Sequence, residues 1–272
     1  SGVRVTDPSH ALFMGLYSTL TLEGWNDELC DAIGVSQKLL PQVKESNEIA
    51  GKLLPQAARM LGVQIGTPML LGMLDTGAAM LLTSDRSGQM INVIGSTDVL
   101  ALRTDHPRPN EKLLTRALGI GRRWMSVATI AAAGSSLKWA KDQLFADLSS
   151  PQFFHLVAKL AKDRDASDGV QFEPYLAGDR VSVEQRQGEF QGLTLATTRE
   201  RMLAAIVESL ARVSAQRIEI LQSTGTKIQR NVMISGGGGD DLAKIMHRDW
   251  PGKWKFWIEE EATMRGLAKL MG

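Results

Sequence analysis

The chain has 272 residues, 43% of them hydrophobic, which is enough apolar material for one large domain or two smaller ones. Its 31 basic and 30 acidic residues leave a net charge of +1, which removes the electrostatic case for nucleic acid or an anionic membrane as partner. Cys30 is the only cysteine, so no intrachain disulfide can form, and a reducing, cytoplasmic setting is expected. His10, His106, His155 and His247 stand too far apart to form a metal-ligand pair, so a bound metal would be held by oxygens. The small apolar run from Ala128 to Ala133 falls far short of the ~20 residues that a spanning helix needs, and Ala11 to Tyr17 lacks the flanks of a signal peptide. The chain opens on Ser1-Gly2 without a methionine and is expected to be a piece of something longer.

In chain order, Gly24 to Ile33 places Trp25, Leu29 and Ile33 at helical spacing, with Gly34 as the stop. Leu39-Leu40-Pro41 is predicted extended, because proline pushes the preceding residue out of the helical region. Ala50 to Leu61 returns to helical spacing and ends at Gly62. Pro68 to Leu74 is a continuous apolar run, which predicts a strand covered on both faces. Asp75 follows it directly, and Thr76 to Leu82 reads as a helix of small residues. Gln89 to Leu102 predicts two short strands around a turn at Gly95, and Arg108 to Gly121 an irregular, charged connection. Ser135 to Leu144 and Pro151 to Lys162 are helical by periodicity, and Gln171 to Gln191 is loop-rich. Leu203, Ile206, Leu210 and Val213 mark one face of a long helix. Asn231 to Ser235 is a strand, Gly236 to Gly239 a tight loop and Asp240 to Arg248 a helix. This alternation predicts an α/β fold, and a composition break near Thr83 divides it into domains over 1–82 and 83–272.

Three turns stand at strand ends, where α/β proteins place ligands. Asp75 can serve as general base toward a substrate hydroxyl, or simply cap the helix that follows. Gly95-Ser96-Thr97 offers backbone amides and two hydroxyls to a phosphate, or an ordinary hairpin turn. Ser235 to Asp241 strings four glycines together, which packing does not explain unless something approaches the backbone. Asp240 and Asp241 place negative charge where a phosphate would sit, so a neutral group such as adenosine fits this loop better. The dinucleotide fingerprint and the P-loop are both absent from the sequence.

Taken in order, these segments resemble the FGGY carbohydrate kinases. Thr6-Asp7-Pro8-Ser9, Trp25 to Pro41 and Gly51 resemble the middle of that family, and Gly66-Thr67-Pro68 to Ala79 its catalytic aspartate segment. Gly95-Ser96-Thr97 matches its second phosphate motif, Ala133 to Trp139 a nucleotide-contacting turn, and Ser235 to Gly239 its adenosine loop. Phe172 to Arg180 and Gly188 to Leu195 are similar to its Pro-Tyr-Leu, Gly-Glu-Arg and Gly-x-x-Gly-Leu segments, in a form close to xylulose kinases. The resemblance implies an actin-like ATPase (ribonuclease H-like) fold: the end of a sugar-binding first domain plus a complete nucleotide-binding second domain. It further implies Asp75 as base, Asp75 and Thr76 at the sugar, and Gly95, Ser96, Thr97, Gly134, Lys138, Gly237, Gly238 and Asp241 at the nucleotide. ATP and Mg²⁺ are the implied cofactors, and the metal would bridge phosphate oxygens.

The departures concern both ends of the site. Asp-Thr-Gly replaces the usual Asp-Asn-Ala, and Gly-Ser-Thr the usual Gly-Thr-Ser. The opening Asp-x-Gly-Thr turn of the family lies nowhere in 1–272, so this chain alone is expected to be inactive, with the missing region supplied in cis or by a separate chain. A homodimer is also compatible. A kinase of gluconate, fuculose, rhamnulose or glycerol, and a non-catalytic actin-like module, are the alternatives. For a partner chain, Leu12, Phe13, Leu16 and Tyr17 would form the docking stripe; ordinary core packing is the competing expectation.

Overall fold

The computed structural model describes residues 1–182 and 184–271. The first stretch holds β1 (Val5–Thr6), α1 (Pro8–Ala11), α2 (Asp27–Ala32), β2 (Gln42–Val43), β3 (Ile49–Lys52), α3 (Pro55–Leu61), β4 (Pro68–Leu70) and α4 (Asp75–Met80). After it come β5 (Met90–Ile94), β6 (Asp98–Thr104), β7 (Leu114–Ala117), β8 (Trp124–Ile130), α5 (Gly134–Leu144) and α6 (Ser150–Leu160). The remainder is β9 (Gln171–Glu173), β10 (Glu189–Gln191), α7 (Arg199–Ser223), β11 (Asn231–Ser235), α8 (Gly239–His247), β12 (Lys255–Ile258) and α9 (Ala262–Ala268).

One six-stranded sheet organises the molecule, in the order β12-β11-β5-β6-β8-β7. β12, β11 and β5 run parallel, while β6, β8 and β7 continue from β5 as antiparallel neighbours. Both faces are covered. Ile91, Ala101, Met125, Val127 and Met233 meet Ala79 and Met80 of α4 and Ala262 of α9. On the opposite face Met90, Leu100, Leu102, Ala128 and Val232 meet Ile218 and Leu221 of α7, with Trp250 beside them. Farther along that face, Ile94 and Ile130 pack with α5, α6, α7 and α8. Strand residues alternate between the two layers, as a pleat with both faces buried requires.

The expected α/β architecture is present, with local differences. The helix expected over Gly24–Ile33 is shorter: Asn26 caps α2 by accepting from the Leu29 amide at 2.9 Å, and the buried residue is Cys30, with Leu29 and Ile33 outside. The helix expected from Ala50 begins only at Pro55, the first helical position where proline's missing amide costs nothing, because Ile49–Lys52 pairs with β4 instead. Pro68–Leu74 gives a three-residue strand with one partner, and its flanks are half exposed. β7 forms within the stretch Arg108–Gly121 expected to be irregular, because it pairs with β8 beyond that stretch. The stretch 171–191 is tied at both ends by β9 pairing with β10, with Phe172 and Phe190 4.8 Å apart between ring centres.

Leu16 and Tyr17 are buried, Tyr17 edge-on to Trp25 at 6.0 Å, so core packing accounts for half of the proposed docking stripe. Phe13 alone of the four is strongly exposed, at 58%, and lies beneath the Arg116 guanidinium.

Candidate functional site

β5, β8 and β11 point toward the same edge of the sheet, so the turns that leave them are neighbours. Within the hairpin turn, the Gly95 amide donates to Thr97 O at 2.8 Å. The turn after β8 docks on it directly: the amides of Ala133 and Ser135 donate to Ser96 O at 2.9 and 3.1 Å, and the Ser135 hydroxyl adds a third bond at 2.9 Å. Gly134 donates to Gly95 O at 3.1 Å, and a Cβ on it would sit 2.6 Å from that same oxygen. From the other side, the Gly238 amide donates to Ile94 O at 2.9 Å, and a Cβ on Gly236 would lie 2.4 Å from it. Glycine is thus required at 134 and 236 for close backbone approach between loops. Gly95 and Gly237 differ. A Cβ on Gly237 meets nothing within 4 Å, and one on Gly95 nothing nearer than 3.9 Å, so these backbones face open space that a ligand can enter.

The sequence-predicted residues divide accordingly. Gly95, Ser96, Thr97, Gly134, Gly237 and Gly238 belong to this one cluster of turns, with Ser96 exposed. Asp241 is exposed in the first turn of α8, where Lys244 Nζ lies 3.5 Å from it. Lys138 sits one turn into α5 with its ammonium 2.7 Å from Asp142, along its own helix instead of toward the turn.

Asp75 occupies the first helical position of α4, and Leu74 is the capping residue, so the side-chain cap expected for it does not form. Its carboxylate is exposed and accepts from the amide and hydroxyl of Thr76 at 2.6 and 3.2 Å. α4 is held down by close approach on two sides. A Cβ on Gly77 would be 3.2 Å from Leu118 O, and one on Gly266 of α9 1.9 Å from Ala78 O. The half-buried Arg116 of β7 lies in the electrostatic field of Asp75 and of Arg180: partial burial pushes its pKa down, Arg180 adds to that, and Asp75 opposes it. Sequence patterning missed Arg116, because it lies in a stretch expected to be irregular. Arg180 stood only in a resemblance segment, without a role.

No helix among the described residues is long and apolar enough to cross a membrane. Nor do the described residues contain a cluster of three or more His, Cys, Asp or Glu able to hold a metal ion.

Known proteins resemble this chain in sequence and in overall fold. The family model described as "FGGY family of carbohydrate kinases, C-terminal domain" matches residues 90–244, and the corresponding N-terminal domain model matches residues 1–81. Xylulose kinase of Bacillus subtilis (strain 168) is 27% identical over 259 residues, covering 90% of this chain and 50% of that protein. A ligand-bound xylulose kinase from Lactobacillus acidophilus superposes with a TM-score of 0.83 at 20% identity, over 100% of this chain and 56% of that one. Plasmodium falciparum glycerol kinase, solved with ADP, superposes with a TM-score of 0.78 at 17% identity, over 99% and 54%. The chain thus spans about half the length of the curated relatives it matches. The family models place the chain in the FGGY family of carbohydrate kinases, and the superposed structures give it the actin-like ATPase fold.

Proposed function

We propose that this chain provides the nucleotide-binding wall and the general base of a kinase that moves the γ-phosphoryl group of ATP onto a hydroxyl of a small sugar. The observation that carries it is the union of three glycine-bearing turns at one sheet edge, two of them with backbone left open to a ligand. Phosphoryl transfer asks a protein mainly for positioning and charge neutralisation. Gly95, Ser96 and Thr97 offer amides and hydroxyls to phosphate, and Gly134 holds that turn in place. Gly237 lies where adenosine can approach the backbone, Gly238 holds that loop against Ile94, Asp241 stands beside them, and Lys138 is on the nucleotide side. Asp75 takes the proton from the sugar hydroxyl, with Thr76 as its neighbour at the sugar. Arg116 and Arg180 add positive charge on the Asp75 side, where charge develops during transfer.

Magnesium fits this set in one way. Such an ion keeps several waters and takes substrate phosphate oxygens, so it needs no cage of protein ligands. When bound it neutralises charge on the phosphates; the chain's part is to hold those phosphates still.

For the acceptor, a ketopentose such as xylulose is the first choice, because two xylulose kinases are among the matches. In this scheme 1–82 closes the sugar side and 83–272 the ATP side, and a further region, in cis or in a separate chain, supplies the remaining sugar contacts. The setting is cytoplasmic.

The test is sugar-dependent ADP formation by the complete gene product, run across xylulose, glycerol and gluconate. Asp75→Asn removes the base and should lower turnover by about 10²–10⁴-fold while ADP binding stays unchanged. Equal turnover in variant and wild type would remove Asp75 from the chemistry.

A further inference from the structure

Beneath the turn at 95–97 lies a line of buried polar side chains. Asn92, Asp98 and Ser214 are fully buried, and Arg217 is 4% exposed. Arg217 Nη2 pairs with Asp98 Oδ2, and Nη1 donates to the carbonyls of Asp98 and Ala128 at 3.3 and 3.5 Å. Asp98 Oδ1 accepts from Asn92 Nδ2 at 2.7 Å, and Asn92 Oδ1 lies 2.7 Å from His247 Nε2. The proton order is set by chemistry. An ionised carboxylate only accepts, so Asn92 turns its amide to Asp98 and its oxygen to His247, and His247 carries the proton on Nε2. At the other end Ser214 Oγ receives Arg217 Nη2 at 3.2 Å and Trp250 Nε1 at 2.9 Å.

Position gives this line its meaning. Asp98 follows Thr97 and is the foot of the hairpin turn. His247 ends α8, the helix whose first residue, Gly239, closes the glycine loop. Arg217 reaches Asp98 from α7, and Asn92 carries the line on from Asp98 to His247. For stability alone, an apolar set of similar volume generally serves as well as a buried ion pair or better. What the polar set adds is direction: Nη1 and Nη2 of Arg217, Nδ2 of Asn92 and Nε2 of His247 each meet acceptors at set positions, which fixes the turn against the helix.

We propose that Arg217, Asp98, Asn92 and His247 are positioning residues that lock the 95–97 turn to α8, so that the phosphate and adenosine loops keep one fixed spacing. This rests on the nucleotide reading of those loops. The probe is ADP on the full chain. Asp98→Val with Arg217→Met removes both charges at similar size; Arg217→Lys keeps the charge and gives up the fork; Ile218→Val, next along α7, trims one core methyl as a control. Melting temperature, ADP dissociation constant and amide exchange are measured for each. The double variant should weaken ADP about tenfold and Arg217→Lys about threefold, with Ile218→Val unchanged, and exchange should quicken at 95–97 but not in mid-β5. If ADP affinity simply tracks melting temperature across the set, the control included, the network is a stability element and the proposal is overturned. A double variant that fails to fold leaves Arg217→Lys to decide on the same comparison. Absence of ADP binding by the wild-type chain would sink the nucleotide reading by itself, and exchange at 95–97 in the free chain would still decide the positioning.

Discussion

The hydroxyl oxygen of Ser9 accepts a hydrogen bond from the Leu74 amide at 3.1 Å, although 65 residues separate them. Ser9 in turn donates to the carboxylate of Asp7, which is almost fully buried and caps α1 through the amides of Ser9 and His10. Ser46 Oγ lies 2.9 Å from both Asp7 Oδ2 and Gly119 O, and so joins a fourth segment to the group. Leu74 is the residue before Asp75, so this cluster sets where α4 begins and from where Asp75 projects.

Ser9→Ala removes that acceptor without adding bulk. Misplacing a reacting group by about 1 Å can cost on the order of 10²-fold in rate. Turnover of the complete gene product should therefore fall about ten- to a hundredfold, with ADP affinity unchanged. A parallel loss of ADP binding would mean that Ser9 supports the whole fold and not Asp75 in particular.

Two adjacent glycines separate loop packing from ligand approach. Gly236 has φ +98° and no room for a Cβ beside Ile94 O, so Gly236→Ala should destabilise the fold by about 1–3 kcal/mol, measured by urea unfolding. Gly237 has open space, so Gly237→Ala should fold normally yet bind ADP several-fold more weakly. Unchanged ADP affinity in Gly237→Ala would show that nothing approaches that backbone.

The C-terminal helix tests the mounting of α4. Gly266 of α9 presses on Ala78 O, and Ala78 lies one turn beyond Asp75. A methyl at 266 must push the two helices apart. Gly266→Ala should cost about 1–3 kcal/mol in unfolding and lower turnover more than it lowers ADP affinity. Among the described residues no hydrogen bond joins the 95–97 turn to α9, so an equal fall in both would mean that the sheet itself had moved.

Local pattern carried the β11–glycine loop–α8 unit almost to the residue, because a short apolar strand, four glycines and an amphipathic helix each leave a local trace. Pro68–Leu74 misled for a physical reason: Met73 and Leu70 find their apolar partners in Leu267 and Leu270 near the C-terminus, not in neighbouring strands. Asp75 is expected directly after a strand, but β4 ends at Leu70 and Asp75 instead opens α4, a placement supported by the Ser9 bond, which sequence spacing cannot show. The buried polar line was invisible for the same reason. Asn92 and His247 are 155 residues apart, and neither carries a local signal until the sheet and α8 meet. Arg217 has no local signal either, since spacing along a long helix does not show that its side chain is almost wholly enclosed.

His247 also gives that line a measurable pH signature. Burial, followed by the positive charge of Arg217, lowers its pKa from 6.5 to about 4. Its ring stacks on Phe256 at 4.4 Å and tilts against Trp250 at 4.3 Å, while Asn92 faces its Nε2 with Asp98 behind. Well above pH 6.5 the imidazole is neutral in both folded and unfolded chains and contributes no pH dependence. Between 6.5 and 4 the unfolded chain takes up a proton that the folded chain refuses, so stability falls as pH falls, and below 4 this contribution levels off. The full span corresponds to about 3 kcal/mol. Surface carboxylates titrate in the lower part of the same window, so the informative quantity is the difference between wild type and His247→Gln, which keeps a donor toward Asn92. Urea unfolding at pH 7.0, 6.0, 5.0 and 4.5, roughly spanning the interval set by that shift, should show a shallower fall in the variant. Equal slopes would mean that His247 becomes protonated within the folded chain as readily as outside it, and that its place in the donor line does not depend on a neutral ring.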